Sequence, residues 1–345
     1  MLYIKISIIK GVRYKMKQSY YLYKSGRIQR KDNTLEIVYK DGSKKSIPVE
    51  RVNDIYVMTE FDFNTNLLNF LGQYGIAVHF YNYYGFYSGT YYPKEQLVSG
   101  KLLIKQVEAY TDKKKRLEIA KAFIDAASYN IYRNLVYYNN RGKDLNTYMI
   151  EIESLRKQIR NCKDVQELLG IEGNIRKIYY SSWNIIINQN IAFEKRVKNP
   201  PDNAINSLIS YVNTIIYTRV LSEIYKTQLN PTISYLHEPS ERRFSLCLDV
   251  SEIFKPIIAD RLIFSMLNRN QITEKDFEEG LNFLYIKDNA RKEITKEIDK
   301  KLQTTIQHKK LGREVSYEYL IRLELYKLIK YLIEDVPYEG FKMWW

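Results

Sequence analysis

The sequence of 345 residues has few cysteines and few histidines. Its two cysteines, Cys162 and Cys247, lie far apart and show no metal-ligand spacing, so we expect no cysteine metal site. So few thiols are typical of a cytoplasmic protein. The three histidines are His79, His237 and His308.

Long apolar runs are also missing. No stretch approaches the roughly eighteen residues that a membrane-spanning helix needs, so we expect no membrane segment. The apolar stretch Met1–Lys10 is short and lacks a small-residue cleavage site, which argues against a signal peptide. No glycine-rich phosphate-binding loop is present, so we predict no ATP requirement.

Positive charge is abundant. The formal net charge is +14 and the sequence pI is near 9.3. Such an excess favours a polyanionic partner, because each neutralised phosphate releases condensed counterions. Charge that serves solubility, or an AT-rich genome that favours Lys, Ile, Asn and Tyr, would produce a similar composition. Charge alone identifies no reaction.

The pattern changes near Tyr92-Pro93 and predicts two domains of an α+β protein. Residues 1–92 are strand-rich, with one helix at Asn64–Gly72. Residues 1–15 precede a second methionine, Met16, and form either an extension or an additional edge strand. The predicted strands are Tyr20–Leu22, Thr34–Tyr39, Lys45–Pro48, Asp54–Val57, Ile76–Phe80 and Gly85–Tyr91.

Residues 93–345 show helical spacing and almost no strand-like alternation, which predicts an all-helical second domain. Its clearest helices are Leu117–Tyr138, Val165–Ala192, Ile205–Tyr225, Val250–Leu267 and Tyr317–Ile333. Pro256 lies inside one of them and predicts a kink or an interruption.

Glu172 is the first candidate for chemistry. At helical spacing it shares a face with Leu168, Ile175 and Tyr179. A carboxylate on an apolar face costs several kcal/mol, as a rough figure, unless a cation or hydrogen bonds meet it. A structural pairing with Arg176 explains this position as well as a functional role does.

His237 lies in the loop-like stretch Pro231–Pro239. Imidazole is a good ligand for borderline divalent metals and titrates near neutral pH. A lone histidine is more often a surface or packed residue, so this position remains open.

Asp249 and Glu252 are three residues apart and project together from one helix face. Two nearby carboxylates favour a metal ion or a shared proton. The same spacing fits a capping box with Asp249 as the N-cap, and local reasoning favours the cap. Cationic residues surround these positions in the sequence. The DNA-binding candidates are those nearest the predicted chemistry: Arg242, Arg243, Lys255 and Arg261.

Several motifs in order resemble the CRISPR-associated integrase family, the larger of the two core spacer-acquisition proteins. The resemblance runs from about Ser19 to about Tyr331. In the first domain it rests on Gly26–Leu35, Ile47–Glu50, Asp54–Val57, Ile76–Phe80 and Gly85. In the second it rests on Leu169–Gly173, Asn199–Leu208, Leu236–Pro239 and Leu248–Pro256.

The resemblance implies a β-sandwich-like domain before a helical catalytic domain, and a homodimer bridged by a small ferredoxin-like partner. It implies that Glu172, His237 and Glu252 are catalytic and bind one Mg²⁺ or Mn²⁺, with Asp249 as an accessory carboxylate. Many relatives carry Asp at the position of Glu252, which leaves the final ligand open between Asp249 and Glu252.

The resemblance implies a metal-dependent endonuclease and integrase. A 3′-hydroxyl of short foreign DNA would attack a phosphodiester at a CRISPR repeat, and His237 would act as a metal ligand or as a proton donor. The competing hypotheses are a stand-alone metal-dependent nuclease and a non-catalytic DNA-binding scaffold. Nothing in the sequence supports an RNA-processing role.

Overall fold

A computed structural model describes residues 17–93, 97–191, 193–198, 200–239, 244–279 and 284–344. Residues 1–15, predicted to be an extension or an edge strand, and the DNA-binding candidates Arg242 and Arg243 lie outside the described residues. None of the described helices combines the length and the apolar character needed to cross a bilayer. Two compact units make up this part of the chain: residues 17–83 with 87–93, and residues 84–86 with 97–344.

The first unit is built from eight strands, one α-helix and a short 3-10 helix at Val49–Arg51. The strands are β1 (Gln18–Leu22), β2 (Gly26–Lys31), β3 (Thr34–Tyr39), β4 (Lys44–Pro48), β5 (Val52–Val57), β6 (Phe61–Asp62), β7 (Val78–Tyr81) and β8 (Tyr87–Tyr91). The helix α1 (Thr65–Gln73) begins after Asn64, whose side-chain Oδ1 accepts a hydrogen bond from the Leu67 backbone N–H at 2.9 Å.

These strands form two four-stranded sheets, in the orders β1-β5-β7-β8 and β4-β3-β2-β6. In the first sheet β1, β5 and β7 are parallel and β8 is antiparallel to β7. Both sheets and α1 contribute to one hydrophobic cluster that includes Ile28, Leu35, Val52, Leu67 and Val78. The predicted β-sandwich-like first domain is confirmed.

The second unit is mainly helical. Its α-helices are α2 (Gly100–Thr111), α3 (Lys113–Asn139), α4 (Asn146–Gln158), α5 (Val165–Ser181), α6 (Trp183–Ile186), α7 (Ala204–Tyr225), α8 (Ser245–Phe254), α9 (Arg261–Asn268), α10 (Asp288–Gln303) and α11 (Tyr317–Glu334). Most residues of α7 are buried, including the polar Asn206 and Glu223. A helix apolar on nearly all sides is one that other elements surround.

The second domain is mainly helical, as predicted, although it is not all-helical. Two antiparallel strand pairs interrupt it: β9 (Phe277–Glu279) with β10 (Leu284–Ile286), and β11 (Thr305–His308) with β12 (Arg313–Ser316). Each strand has three or four residues, too few to show a clear alternation in the sequence. Gly312, with a positive φ of 62°, makes the turn that joins the second pair.

The predicted helix Val250–Leu267 is divided into three parts. Between α8 and α9, Lys255–Asp260 form a π-helical segment. Pro256 has no backbone N–H and so cannot donate to the carbonyl of Glu252, four residues earlier. The predicted interruption at Pro256 is therefore confirmed, and it takes the form of wider turns with i→i+5 hydrogen bonding.

The predicted helix Val165–Ala192 is shorter than expected. Helix α5 ends at Ser181, and a single further turn, α6, follows at Trp183–Ile186. Ala192 lies outside the described residues. The Ser182 hydroxyl donates to the Tyr179 carbonyl at 2.6 Å, which satisfies one of the carbonyls exposed at the helix end.

Candidate active site

Helix α5 carries Glu172 and Arg176 one turn apart. The helix begins after Asp164, whose carboxylate accepts a hydrogen bond from the Glu167 backbone N–H at 2.8 Å. Leu168, one turn before Glu172, is fully buried. Glu172 Oε1 accepts a hydrogen bond from Arg176 Nε at 3.1 Å. The structural pairing considered from the sequence is therefore present.

Arg176 also reaches a second carboxylate, on α8. Its Nη2 donates to Glu252 Oε2, and Lys255 Nζ donates to Glu252 Oε1 at 2.5 Å. The Arg176 and Glu252 side chains are only 12% and 10% exposed. One guanidinium thus joins Glu172 to Glu252, and two cations meet the oxygens of Glu252. This pairing requires α5 and α8 to pack together, so local sequence patterns could not show it.

The cations keep Glu252 ionised. Burial on its own would raise the pKa of Glu252, but Lys255 and Arg176 outweigh it, and the pKa falls well below its usual value. His237 also lowers the pKa of Glu252, which places this imidazole in the electrostatic environment of the same carboxylate.

His237 follows Leu236, which lies in a small hydrophobic cluster with Leu168 of α5. That packing holds the loop of His237 beside the helix of Glu172. The Ser234 hydroxyl donates to the His237 carbonyl at 2.6 Å and closes a tight turn. The sequence pattern in this loop is irregular, so the shared cluster could not be predicted from it.

Asp249 holds the His237 loop in place through hydrogen bonds. Its Oδ2 accepts the backbone N–H groups of Tyr235 at 2.7 Å and Leu236 at 2.9 Å. Its Oδ1 accepts the His237 backbone N–H at 3.0 Å and the His237 ring Nδ1 at 2.8 Å. Asp249 is fully buried, and its carboxylate is surrounded by four donors.

The capping-box interpretation of Asp249 and Glu252 is wrong. Helix α8 begins at Ser245, and its N-cap position is Phe244, so Asp249 lies inside the helix. The hydrogen bonds of Asp249 go to the backbone of the His237 loop rather than to its own helix end. The residues ahead of Asp249, Leu246 and Cys247, are buried and extend the apolar pattern toward the N-terminus.

A third buried carboxyl, Asp260, was not anticipated. It ends the π-helical segment and is 1% exposed. Its Oδ2 has no hydrogen-bond partner among the described residues. Burial raises the pKa of Asp260 to about 7, although Arg176 and Tyr179 act to lower it. An Asp at the end of an apolar run is a weak sequence signal, because such residues also serve as ordinary helix-surface charges.

Two asparagines on one face of α3 support the end of α8 and the π-helical segment that follows it. Asn130 Nδ2 donates to the Ile253 carbonyl at 3.1 Å, and Asn134 Nδ2 donates to the Pro256 carbonyl at 2.7 Å and to the Tyr179 hydroxyl at 3.1 Å. Both asparagines are fully buried. The sequence analysis did not identify these residues, and the only signal for them is their four-residue spacing on a largely apolar helix face.

The predicted DNA-binding residues are not all in one place. Lys255 lies in the charged cluster beside Glu252. Arg261 begins α9, where its guanidinium lies 4.7 Å from the centre of the Tyr137 ring and its Nη1 donates to Met343 Sδ at 3.2 Å. It therefore belongs to a different surface.

The donor set suits a hard divalent cation, although the side chains are not arranged around one. Within the described ranges, no three His, Cys, Asp or Glu side chains are grouped closely enough to hold a metal ion. Arg176 and Lys255 instead supply the positive charge between the carboxylates. Carboxylate oxygens with one imidazole match the ligand preference of Mg²⁺ and Mn²⁺. Glu172, Glu252 and His237 thus have suitable donor atoms, while Arg176 meets both glutamates and Lys255 meets Glu252 in this structure.

Comparison with known proteins gives a consistent result. Residues 20–300 match the family model described as CRISPR associated protein Cas1. The CRISPR-associated endonuclease Cas1 of Fusobacterium nucleatum subsp. nucleatum is 59% identical over 330 residues, which cover 96% of this chain and 98% of the relative. The solved structure of a CAS1 protein from Thermotoga maritima is 40% identical, has a TM-score of 0.83, and covers 94% of this chain and 100% of that chain.

Two more distant solved structures share the fold. A casposase bound to integration product is 20% identical, with a TM-score of 0.81 and 96% of each chain covered. A chain of a Cas6-RT-Cas1–Cas2 complex is 16% identical, with a TM-score of 0.83, and covers 97% of this chain and 37% of that chain. At these identities the likeness shows the fold alone.

Proposed function

Because the chain belongs to the CRISPR-associated Cas1 family, we propose that it is a spacer-acquisition integrase with endonuclease activity. It transfers a 3′-hydroxyl end of short foreign DNA onto a phosphodiester at a CRISPR repeat. The observation that carries this proposal is the cluster in which Arg176 joins Glu172 to Glu252 beside His237. The relative's name, an endonuclease, and the casposase with its integration product support phosphodiester cleavage and joining.

Glu172, His237 and Glu252 would hold one Mg²⁺ or Mn²⁺. When bound, the ion supplies charge neutralisation at the reacting phosphate and lowers the pKa of the attacking hydroxyl. Glu252 is prepared for this role because it is ionised at neutral pH. Before the ion binds, Arg176 and Lys255 neutralise the carboxylates. Once the ion has taken their place, their N–H groups are available to phosphate oxygens.

His237 acts as a ligand through Nε2 in this proposal. Its Nδ1 is engaged by Asp249, which fixes the ring orientation and the tautomer that carries the proton on Nδ1. The carboxylate of Asp249 already accepts four hydrogen bonds, three of them from backbone N–H groups. We therefore assign Glu252 as the final ligand and Asp249 as a positioning residue.

The proposed partners are DNA, a second copy of this chain and a small ferredoxin-like protein. The net charge of +14 supports a DNA partner. The complex that contains a chain of the same fold together with Cas2 supports assembly with a further CRISPR protein. A stand-alone nuclease would use the same residues with water as the nucleophile, so reaction products distinguish the two activities.

The test is an integration assay with duplex DNA that carries 3′-hydroxyl ends, a supercoiled repeat plasmid and Mn²⁺, with and without the small partner. Wild type is compared with Glu172→Ala, Glu172→Gln and His237→Ala, and with Glu151→Gln on the exposed surface of α4 as the matched control. Joined products that are lost in the three site variants and kept in the control support the proposal. Cleavage without joining supports the nuclease, and folded site variants that join DNA like wild type exclude this active site.

A further inference from the structure

A cleft of about 820 Å³ lies in the helical unit, and none of Glu172, His237 and Glu252 lines it. Its walls come from α3, the end of α4 with the 3-10 turn Ile159–Asn161, the turn between β11 and β12, α11, and residues 338–344. Ligand-binding clefts typically measure about 300–1,000 Å³. This cleft is therefore large enough to receive a ligand.

The C-terminal wall of the cleft is held against α3. Asn130 Nδ2 donates to the Phe341 carbonyl at 3.0 Å, and the Met343 backbone N–H donates to Asn130 Oδ1 at 2.9 Å. Gly340 lies so close to α3 that a Cβ there would be 2.7 Å from the Ala122 carbonyl oxygen. The wall is thus packed in place without a ligand, which lowers the entropic cost of binding.

The inner surface of the cleft is apolar and aromatic. Leu320 and Phe341 line it, and the Trp344 ring lies 5.5 Å from the Phe341 ring, centre to centre. Leu311 and Tyr326, also in the lining, are 44% and 40% exposed. Apolar surface rimmed by polar residues is typical of an interaction site.

The rim of the cleft carries an excess of positive charge. Eight lysine and arginine side chains line the cleft, against three carboxylates. Asp125 pairs with Arg156 at 3.4 Å and with Lys342 at 2.6 Å, and Glu324 pairs with Lys327 at 2.7 Å. In the described part of the chain, no carboxylate lies within ion-pair distance of the other five cations, which are Lys121, Arg160, Lys309, Lys310 and Lys330.

This charge adjoins the aromatic surface. Lys309 Nζ lies 5.7 Å from the centre of the Trp344 ring. Burial lowers the pKa of His308 in the cleft wall, and Lys327 and Lys310 lower it further. Cations that disfavour another positive charge favour an anion in the same place. A suitable occupant therefore carries negative and apolar groups side by side.

The lining also limits the kind of anion. Among the described residues that line the cleft, none is a serine, threonine, asparagine or glutamine. Such neutral amide and hydroxyl groups commonly contribute to the recognition of base edges and sugars. Lysines pair with carboxylates as point charges, and an apolar surface accepts an aliphatic or aromatic side chain. These features favour an acidic protein segment over a nucleic acid.

We propose that this cleft is a docking site for an acidic segment of a protein partner. One aliphatic or aromatic side chain of the segment inserts against Leu320, Phe341 and Trp344. Carboxylates on either side of it meet Lys310 and Lys330 at the rim. The inference goes beyond the proposed function, because none of the cleft residues belongs to the proposed metal site.

The first test measures the binding of three fluorescein-labelled peptides by fluorescence anisotropy. The first peptide carries glutamates on both sides of a leucine–phenylalanine pair. The second has serines in place of that pair, and the third has glutamines in place of the glutamates. We expect wild type to bind the second and the third each about 10-fold more weakly than the first. A first peptide that does not bind, or that binds no better than either of the others, overturns the inference.

The second test uses variants at exposed positions of the cleft. Lys310→Gln and Lys330→Gln should each weaken binding of the first peptide about 3-fold, and Leu311→Ser about 5-fold. The matched controls are Lys296→Gln and Ile150→Ser, each 72% exposed and outside the cleft. Wild-type affinity in all three cleft variants overturns the inference, as does an equal loss in the controls.

Photo-crosslinking locates the peptide on the protein. The phenylalanine of the first peptide is replaced by benzoylphenylalanine, and mass spectrometry identifies the adducts. Adducts on α11 or on residues 338–344 support the inference. Adducts found only elsewhere overturn it.

Duplex DNA is the competing occupant, because it also carries negative charge. Lys310→Gln and Lys330→Gln should bind duplex DNA within about 2-fold of wild type. Loss of DNA affinity in these variants, together with displacement of the peptide by DNA, assigns the cleft to DNA and overturns the inference. Glu172→Gln should bind the peptide like wild type while it loses joining, so failure of the proposed function leaves this result unaffected.

Discussion

The carboxylate of Asp249 accepts two hydrogen bonds from His237, one from the ring Nδ1 at 2.8 Å and one from the backbone N–H at 3.0 Å. The ring and the main chain of one residue are thus held by one oxygen atom. Any change at Asp249 therefore affects both the direction of the imidazole and the loop that carries it.

Asp249→Asn should weaken Mn²⁺ binding by about 10- to 100-fold, because the ring orientation and the proton on Nδ1 are no longer fixed. Isothermal titration calorimetry measures the affinity, and thermal unfolding in chelator reports any loss of folding. Asp144→Asn, at an exposed position, is the control. A folded Asp249→Asn protein with wild-type affinity would show that Asp249 has no positioning role.

Arg176→Gln should destabilise the metal-free protein by about 3–5 kcal/mol, because Glu252 is left buried with less compensating charge. Saturating Mn²⁺ should then raise the Tm of the variant by more than that of wild type, since no guanidinium has to be displaced. Lys177→Gln, at the exposed neighbouring position, should respond like wild type.

An equal Mn²⁺-induced rise in Tm for Arg176→Gln and wild type would contradict this prediction. That result would show that the guanidinium and the ion do not compete for the carboxylates. Lys255→Gln removes the other cation on Glu252 and gives the same comparison if the Arg176 variant does not fold.

Asp260 should make stability depend on pH in the neutral range. Its pKa is raised to about 7 in the folded protein, from a usual value of 3.8. The folded state therefore holds a proton that the unfolded chain has lost, so the stability contributed by this group falls as the pH rises from about 4 to 7.

Asp260→Asn should remove this dependence. Relative to wild type, the variant should gain about 3 kcal/mol in the free energy of unfolding between pH 5 and pH 8, from two pKa units at about 1.4 kcal/mol each. Urea unfolding in chelator measures both proteins at each pH. A difference between them that stays constant with pH, or that grows toward acid, would contradict the assignment.

Asn134→Leu should destabilise the protein by about 2–3 kcal/mol, because the Pro256 carbonyl and the Tyr179 hydroxyl lose a buried partner. Joining activity of the folded fraction should also fall, since the π-helical segment connects Glu252 to Asp260. Denaturant unfolding and the integration assay measure the two effects. Asn146→Ala at the exposed start of α4 is the control, and equal behaviour of both variants would remove the supporting role from Asn134.

The sequence predicted helices that overlap α3, α5, α7, α8 with α9, and α11, because these segments carry regular apolar spacing. It did not single out α2, α4 or α10. It did not single out β2, Gly26–Lys31, because Ile28 is the one buried side chain in that strand and its neighbours are polar. Strand β2 pairs with β3, which follows directly after Asp32-Asn33, and with β6, which begins only at Phe61. The pairing with β6 has no local signature.

The candidate site was predictable to a similar extent. Glu172, His237 and Glu252 followed from the family resemblance, and the Glu172–Arg176 pair followed from helical spacing. The link from Arg176 to Glu252 and the buried donors on Asp249 depend on how α5, α8 and the His237 loop pack. A single sequence does not show how separate segments pack against one another.

The π-helical segment at Lys255–Asp260 also affects how this sequence is aligned with others. A turn with i→i+5 hydrogen bonds accommodates one residue more than an α-helical turn. Against a homologue with a continuous α-helix, the gap belongs inside residues 255–260. Without that gap, every position after Asp260 would be rotated by about 100°, the angle of one helical residue. Arg261 would then be assigned the environment of buried Asp260.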